Sequence, residues 1–353
     1  MKLKELFTFL PKSDKPASYG KENGKYPFFT SSNVINKYVD EADYSGEFLI
    51  IGDGGTGNCK YYNGSFSASD HNYVLKPINH KNTRLIRYFL MKDDYKVLNE
   101  GFKGVGIKNI SKSYIGEIEY YKNGKYSDEF VVDSLDHING EIDKLNKELF
   151  LFDELIKSRF NDMFGDPILN ELGFNTKELS KLTPFNTVKN KVTITEETWL
   201  LNLDMIESET GRIIDKIRTN EIGNSTIEFD TTCVLYSKLR PYLNKVVIPN
   251  ENGIATSELI SMKCDPNFIK REYLAAALRH PSFVNYINSK TGGAKMPRAN
   301  MDELRTFRMP VPNIQLQNEF ASFVEQIDKL KFSRLVENSM KMKQKTGGIC
   351  AWN

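Results

Sequence analysis

The glycine-rich run GDGGTG at residues 52–57 is the segment with the most obvious capacity to bind a nucleotide. It has the GxGxxG spacing of dinucleotide loops, in which a helix directly after the glycines holds the pyrophosphate. Here residues 58–64 read NCKYYNG, which predicts a strand and a turn. Asp70 comes too early for the acidic residue expected about 20 positions on. Asn58 and Cys59 stand where a phosphate loop needs Lys and Ser or Thr. A tight loop whose backbone comes close to another group is the better interpretation.

Other catalytic and metal-binding patterns are missing from the sequence. The four cysteines, Cys59, Cys233, Cys264 and Cys350, lie far apart without a CxxC pair, and the four histidines are equally scattered. HExxH, GxSxG and the Asn-Pro-Pro-Tyr run of amino methyltransferases are absent. Asp70 and His71 are an adjacent acid and base, but a structural histidine is the favoured interpretation. We therefore expect no catalytic residue, no bound metal and no cofactor on this chain.

Basic residues are concentrated locally, because 48 basic and 46 acidic residues give the whole chain a net charge of only +2. Residues 101–112 contain three lysines and no acid, and residues 289–308 contain five cations against two acids. Glycines in both segments let the backbone approach phosphates while cations neutralise them. The alternative is that these are ordinary solvated loops. The candidate DNA-binding residues are Lys103, Lys108, Lys112, Lys238, Arg240, Lys290, Lys295 and Arg298.

Short matches in the same order indicate an internal duplication. Lys4-Glu5-Leu6 recurs 173 residues later as Lys177-Glu178-Leu179, and Ile142-Asp143-Lys144-Leu145 recurs 185 residues later as Ile327-Asp328-Lys329-Leu330. Leu49-Ile50-Ile51 corresponds to Val234-Leu235-Tyr236 near the same separation. Each half is predicted to begin with short strands and to end with a helix, so the fold class is α+β.

A heptad seam marks the helix that ends the first half, predicted from about residue 129 to 164. The second helix opens near Gln315 and carries a shorter seam that becomes polar at Arg334, Glu337 and Lys341. A single helix packed on its own core is the alternative, but a seam this long favours a helical partner. The candidate pairing residues are Ile138, Ile142, Leu145, Leu149, Phe152, Ile156, Phe320, Phe323, Ile327 and Leu330.

The chain of 353 residues exceeds the usual size of one domain. We predict a domain at 1–128, a helix at 129–166, a second domain at 167–313 and a second helix at 314–353. The first ten residues lack the apolar core of a signal peptide, and no stretch is long and apolar enough to span a membrane. We expect a cytoplasmic protein.

Three short segments resemble sequences found in the specificity subunits of type I restriction-modification systems: KSRFNDMFGDP at 157–167, SASDH at 67–71 and MPRANM at 296–301. The resemblance extends over nearly the whole chain. It implies two target-recognition domains, each reading one half of a split double-stranded DNA target, and two helices that pair as an antiparallel coiled coil. It also implies two methyltransferase subunits that use S-adenosylmethionine to methylate adenine, and motor-nuclease restriction subunits that use ATP and Mg²⁺.

The sequence departs from this family in two places. The segment Met309-Pro310-Val311-Pro312 before the second helix has only Tyr120-Tyr121-Lys122-Asn123 as its counterpart, and the C-terminal helix is short and polar. Two other classes remain open: a nucleotide-binding enzyme that uses the glycine run at 52–57, and a coiled-coil scaffold without a DNA role.

Overall fold

The computed structural model describes residues 1–79, 83–106, 108–121, 127–186, 198–218, 226–293 and 296–346. The chain divides into two compact units. The first unit comprises residues 1–142 together with the end of the chain from Met340, and the second unit comprises residues 143–339. The boundary falls inside the first long helix. The mixture of helices and strands confirms the α+β class.

Six strands form the sheet of the first unit among its described residues: β1 (Phe7–Phe9), β2 (Tyr26–Phe29), β3 (Tyr38–Val39), β4 (Tyr44–Gly52), β5 (Cys59–Ala68) and β6 (Asn72–Pro77). Their order is β1-β6-β4-β5-β2-β3. β4 and β5 form a long antiparallel hairpin, and β2 pairs in parallel with the end of β5. One face of the hairpin packs Leu49 and Ile51 into the core, while Phe48 and Ile50 pack on the other face, as the alternation of a strand requires.

The helices of the first unit cover this sheet. They are α1 (Leu3–Leu6), α2 (Thr83–Asn99), α3 (Lys112–Glu117) and the start of α4 (Asp128–Phe164). α2 is interrupted at residues 92–95, where Asp93, Asp94 and Tyr95 have positive φ angles. Val131 and Val132 of α4 are buried in the same core as α2.

The second unit contains β7 (Thr176–Glu178), β8 (Phe185–Asn186), β9 (Trp199–Leu201), β10 (Ile217–Arg218), β11 (Thr226–Phe229), β12 (Cys233–Ser237), β13 (Val246–Val247), β14 (Gly253–Thr256), β15 (Leu259–Lys263) and β16 (Arg308–Pro310). Its described strands form sheets of order β10-β9-β14-β11, β13-β12-β15-β8 and β16-β7. Its helices are α5 (Leu179–Leu182), α6 (Arg271–Arg279), α7 (Pro281–Ser289), α8 (Met301–Thr306) and α9 (Ile314–Thr346).

The strand pairing of the two units follows one plan. β8, β15 and β12 pair as β1, β6 and β4 do, and β9 lies parallel to β14 as β2 lies parallel to β5. The long hairpin β4–β5 corresponds to two short antiparallel pairs, β11–β14 and β12–β13. The second unit therefore repeats the first with the hairpin broken at residues 230–232 on one side and 248–252 on the other.

The backbone contacts of α1 and α5 correct one register of the predicted repeat. The Leu3 amide donates to the Ile118 carbonyl, and the Leu179 amide donates to the Phe307 carbonyl at the same place in the plan. Leu3 therefore corresponds to Leu179, a separation of 176 residues. The separation of 173 inferred from Lys4-Glu5-Leu6 is wrong, because a three-residue identity is too short to fix a register.

α4 and α9 contact each other in antiparallel order within the second unit. The Phe160 and Phe320 rings lie 5.7 Å apart, and the Phe164 and Phe320 rings 5.4 Å. Further along, Lys331 pairs with Asp153 at 2.6 Å. Earlier residues of α4 therefore contact later residues of α9, which is the order that antiparallel helices require. Coiled-coil packing along the full length of the helices stays a prediction.

Candidate nucleic-acid interface

The glycine run and the first basic segment lie side by side in the first unit. The Gly55 amide donates to the Lys108 carbonyl at 3.0 Å, and the Ile110 amide donates to the Asp53 carbonyl at 2.9 Å. Lys103 and Asn109 exchange both backbone hydrogen bonds, which closes the basic loop. We name residues 52–57 and 103–109 the first loop pair.

The second unit builds the same arrangement from different residues. The Arg240 amide donates to the Pro297 carbonyl at 2.8 Å, and the Ala299 amide donates to the Lys238 carbonyl at 2.9 Å. Gly292 and Arg298 exchange backbone hydrogen bonds as Lys103 and Asn109 do. We name residues 236–242 and 292–298 the second loop pair. The structure thus brings together the segments that the sequence analysis selected in each half.

The glycine loop is shaped by close approach rather than by a bound nucleotide. A Cβ at Gly57 would come within 2.8 Å of the Tyr95 Cβ, so a side chain does not fit there. The Gly57 amide donates to Asn99 Oδ1 at 2.7 Å, and Asn58 bonds back to the Gly52 amide at 3.1 Å. The loop runs into β5 and not into a helix. This geometry lacks the helix N-terminus that a dinucleotide site uses.

A buried lysine at the start of β5 stabilises the glycine loop through hydrogen bonds. Lys60 donates to Asn58 Oδ1 at 3.0 Å and to the Thr30 carbonyl at 3.2 Å. Burial lowers the pKa of this ammonium group to about 8. Lys60 therefore holds two loops together in the interior instead of offering its charge to a ligand at the surface.

An acid and a histidine are joined at the base of the first loop pair. The Asp53 carboxylate is buried and accepts from Lys12, and its Oδ1 lies 3.1 Å from His71 Nδ1. The His71 side chain is 61% exposed. Asp53 therefore orients an imidazole whose other nitrogen points away from the carboxylate.

The corresponding positions of the second unit carry residues of different charge. The Asp53 amide donates to the His71 carbonyl, and the Lys238 amide donates to the Glu258 carbonyl. Lys238 thus takes the place of Asp53, and Glu258 takes the place of His71. The Glu258 carboxylate is held by Arg298, whose Nη2 and Nε lie 2.8 and 3.2 Å from its two oxygens.

The predicted cations of the first unit are exposed. Lys103 and Lys108 form no ion pair with any residue in the described ranges. Lys112 begins α3, and its ammonium lies 5.5 Å from the centroid of the Phe9 ring. The first loop pair therefore presents two unneutralised lysines to solvent.

The predicted cations of the second unit are partly neutralised. Arg298 pairs with Glu258, and Lys290 lies 3.9 Å from Glu303. Lys238 is half-buried and Arg240 is exposed. Lys295 lies outside the described residues. The two basic loops are equivalent in backbone but not in available charge.

The predicted helix-pairing residues fall into three groups. Leu149, Phe320 and Ile327 are buried, whereas Ile142 and Leu330 are exposed, Leu330 by 51%. The others are half-buried: Ile138, Leu145, Phe152, Ile156 and Phe323. The seam on α9 is therefore covered only as far as Ile327.

Several residues of the site and of its support were missed at the sequence level. Lys12 and Glu258 reach their partners from 41 and 40 residues away, and no local pattern announces such a contact. Phe160 and Phe164 lie in the segment 157–167 that carries the family resemblance, and both rings are buried against Tyr273. Their four-residue spacing on one helix face is a signal that could have identified them.

Metal ligation finds no support in the described part of the chain. No group of three His, Cys, Asp or Glu residues there could hold an ion. Burial raises the pKa of the Cys59 thiol to about 12 and that of Cys264 to about 12. Both thiols therefore stay protonated at neutral pH, which makes them poor ligands. No helix in the described ranges is long and apolar enough to cross a membrane.

Known proteins share this organisation. Residues 1–121 match the family described as "Type I restriction modification DNA specificity domain". The type I restriction enzyme EcoDI specificity subunit of Escherichia coli is 24% identical over 350 residues, covering 88% of this chain and 77% of that protein. By these matches the chain resembles a type I restriction-modification specificity subunit.

A solved structure extends the similarity in fold over nearly the whole chain. The S subunit of the type I restriction-modification system of M. genitalium superposes with a TM-score of 0.58 at 15% sequence identity. The superposition covers 98% of this chain and 95% of that one. At this identity the likeness concerns the fold, and it includes both units of this chain.

Proposed function

We propose that this chain is the specificity subunit of a type I restriction-modification enzyme, which reads a two-part DNA target, one part with each loop pair, and directs methyltransferase and restriction subunits to it. The observation that carries the proposal is the duplicated site. The same backbone hydrogen bonds join two loops in each unit, while the side chains that the loops present differ. Two readers with one framework and different chemistry are what an asymmetric, split target requires.

The chemistry of modification and cleavage would then belong to other chains. The relative from Escherichia coli is named the specificity subunit of a type I restriction enzyme, which fits a chain that recognises DNA and leaves catalysis to its partners. Two methyltransferase subunits would bring S-adenosylmethionine, and the restriction subunits would bring ATP and Mg²⁺. The exposed apolar residues Phe150, Leu151 and Leu155 on α4 give such partners a surface to bind. A cytoplasmic location is part of the same proposal, because the DNA and the partner subunits lie there.

Sequencing of methylated adenines in cells with and without this gene tests the proposal. We expect one asymmetric two-part motif to lose its methylation when the gene is deleted and the methyltransferase gene is kept. The purified chain with S-adenosylmethionine should not methylate DNA by itself. An unchanged methylation pattern, or methylation by the pure chain, would contradict the proposal.

A further inference from the structure

Arg298 is held in a fixed orientation by a carboxylate in the second loop pair. Its Nε and Nη2 donate to the two oxygens of Glu258 at 3.2 and 2.8 Å. This hydrogen bonding raises the pKa of Arg298 and lowers the pKa of Glu258. The arginine side chain is nevertheless 47% exposed. Two parallel hydrogen bonds fix the plane of a guanidinium group, which a single bond does not.

The edge of the guanidinium that Glu258 leaves unused has a defined chemistry. Nη1 and the second hydrogen of Nη2 form a fork of two parallel donors. Such a fork matches the O6 and N7 acceptors that guanine presents in the major groove. A phosphate also accepts an arginine fork, but the neighbouring Glu258 carboxylate weakens the attraction to a charged phosphate more than the attraction to the neutral edge of guanine. The arrangement therefore suits a base better than the DNA backbone.

The first unit shows that the fold does not need this ion pair. Asn109 takes the place of Arg298 there, and His71 takes the place of Glu258, with the same backbone hydrogen bonds around them. The loops close in both units whether or not an arginine and a glutamate are present. The pair is thus a feature of one unit's surface chemistry and not of its framework.

We propose that Arg298, oriented by Glu258, reads a guanine in the half of the DNA target that the second unit contacts. The proposal rests on the proposed function of the chain as a DNA-reading subunit. It assigns base recognition to a residue for which composition alone indicates only a phosphate contact.

The test uses the full chain assembled with its methyltransferase subunits and duplexes that carry its methylated target. Each guanine is replaced in turn by 7-deazaguanine, which lacks the N7 acceptor. The wild-type complex should lose about 10- to 150-fold in affinity at one guanine, because a charged hydrogen bond is removed. Arg298→Lys should bind the unmodified duplex more weakly and become insensitive to the same replacement. Glu258→Gln should also bind the unmodified duplex more weakly and lose part of its sensitivity to 7-deazaguanine, by a smaller factor in each case.

Arg305→Lys is the matched control. Arg305 is 44% exposed and lies 3.4 Å from Asp302, so it resembles Arg298 in exposure and in having an acidic partner. Its variant should keep the full sensitivity to 7-deazaguanine. Unchanged sensitivity in Arg298→Lys, or an equal loss on all duplexes with a weaker salt dependence, would overturn the proposal and leave the proposed function intact. A wild-type complex that binds its target no better than random DNA would overturn both.

Discussion

The first and second units share strand pairing and loop closure but differ in the chemistry at matched positions. Asp53 and His71 meet at the base of one loop pair, whereas Lys238 and Glu258 occupy these positions in the other. The backbone hydrogen bonds are nevertheless the same. The comparison teaches that side chains at these positions can change, even in charge, without disturbing the framework. Recognition surfaces on such a framework can diverge while the fold persists.

The two hairpins show how much the framework itself tolerates. β4 and β5 run unbroken in the first unit, while the second unit interrupts both strands. Asp230 stabilises one interruption, because its Oδ1 accepts from the Thr232 amide at 2.7 Å. A parallel partner strand is kept in both units, β2 beside β5 and β9 beside β14, so the interruption changes the shape of the hairpin without removing this neighbour.

The largest expected difference between the units concerns Phe164, which α4 buries in the core of the second unit alone. Phe164→Ala should lower the free energy of unfolding of the second unit by about 3–5 kcal/mol, through lost burial and a cavity. Hydrogen exchange followed by mass spectrometry should show faster exchange in the second unit only. Leu155→Ala, at an exposed position of the same helix, should change little. Equal acceleration in both units would break the comparison.

Charge reversal should affect the two basic loops unequally. The double variant Lys103→Glu with Lys108→Glu should have a weaker salt dependence. The magnitude of its slope of log affinity for DNA against log salt concentration should fall by about 2, because two phosphate contacts are lost. The double variant Lys290→Glu with Arg298→Glu should reduce the magnitude of this slope by less, because Glu303 and Glu258 already neutralise these cations. Lys329→Glu on α9 is the control. Identical slopes for the two double variants would show that the neutralisation has no consequence.

The antiparallel contact of the long helices can be measured through one ion pair. The Lys331 ammonium lies 2.6 Å from Asp153 Oδ1, and both side chains are mostly buried. A double-mutant cycle with alanine at these two positions should give a coupling free energy of about 1 kcal/mol. The more exposed pair of Glu148 and Arg334, at 3.5 Å, should give less than about 0.5 kcal/mol. Zero coupling for the first pair would argue against this register of the helices.

The smallest effect is expected at the break in the second hairpin. Burial opposes ionisation of Asp230, but hydrogen bonds from Thr232 outweigh it and hold the pKa of Asp230 at about 2. The folded pKa lies below the unfolded value, so the ionised group stabilises the fold above about pH 4, and this is lost as pH falls to 2. Because the side chain is 39% exposed, Asp230→Asn should cost less than about 1 kcal/mol at pH 7. Thermal melts should show the difference shrinking between pH 4 and pH 2, and a constant difference would contradict this.

The periodic elements could be predicted from the sequence. The heptad seam placed α4 within one residue of its observed start and at its observed end, Phe164. The glycine run was correctly interpreted as a loop, because the residues after it have the alternation of a strand. These predictions succeeded because helix and strand periodicity is a local property of the chain.

Other features depend on contacts that no local pattern encodes. The break at Asp230 differs from the unbroken β4 by a few polar residues, which propensity does not separate from a continuous strand. The pairs of Asp53 with Lys12 and of Glu258 with Arg298 join residues that only the fold brings together. Leu330 fits the heptad and is nevertheless exposed, because the covered seam ends at Ile327.

The central claim, that each half is a complete DNA reader built on the same framework, is tested most directly with residues 1–166 alone. In this fragment α4 has lost its partner helix, and pairing with the same seam of a second copy would cover it. We predict a closed dimer by sedimentation that directs the cognate methyltransferase to an inverted repeat of one half of the target. A stable monomer, or modification at asymmetric two-part sites, would contradict the claim.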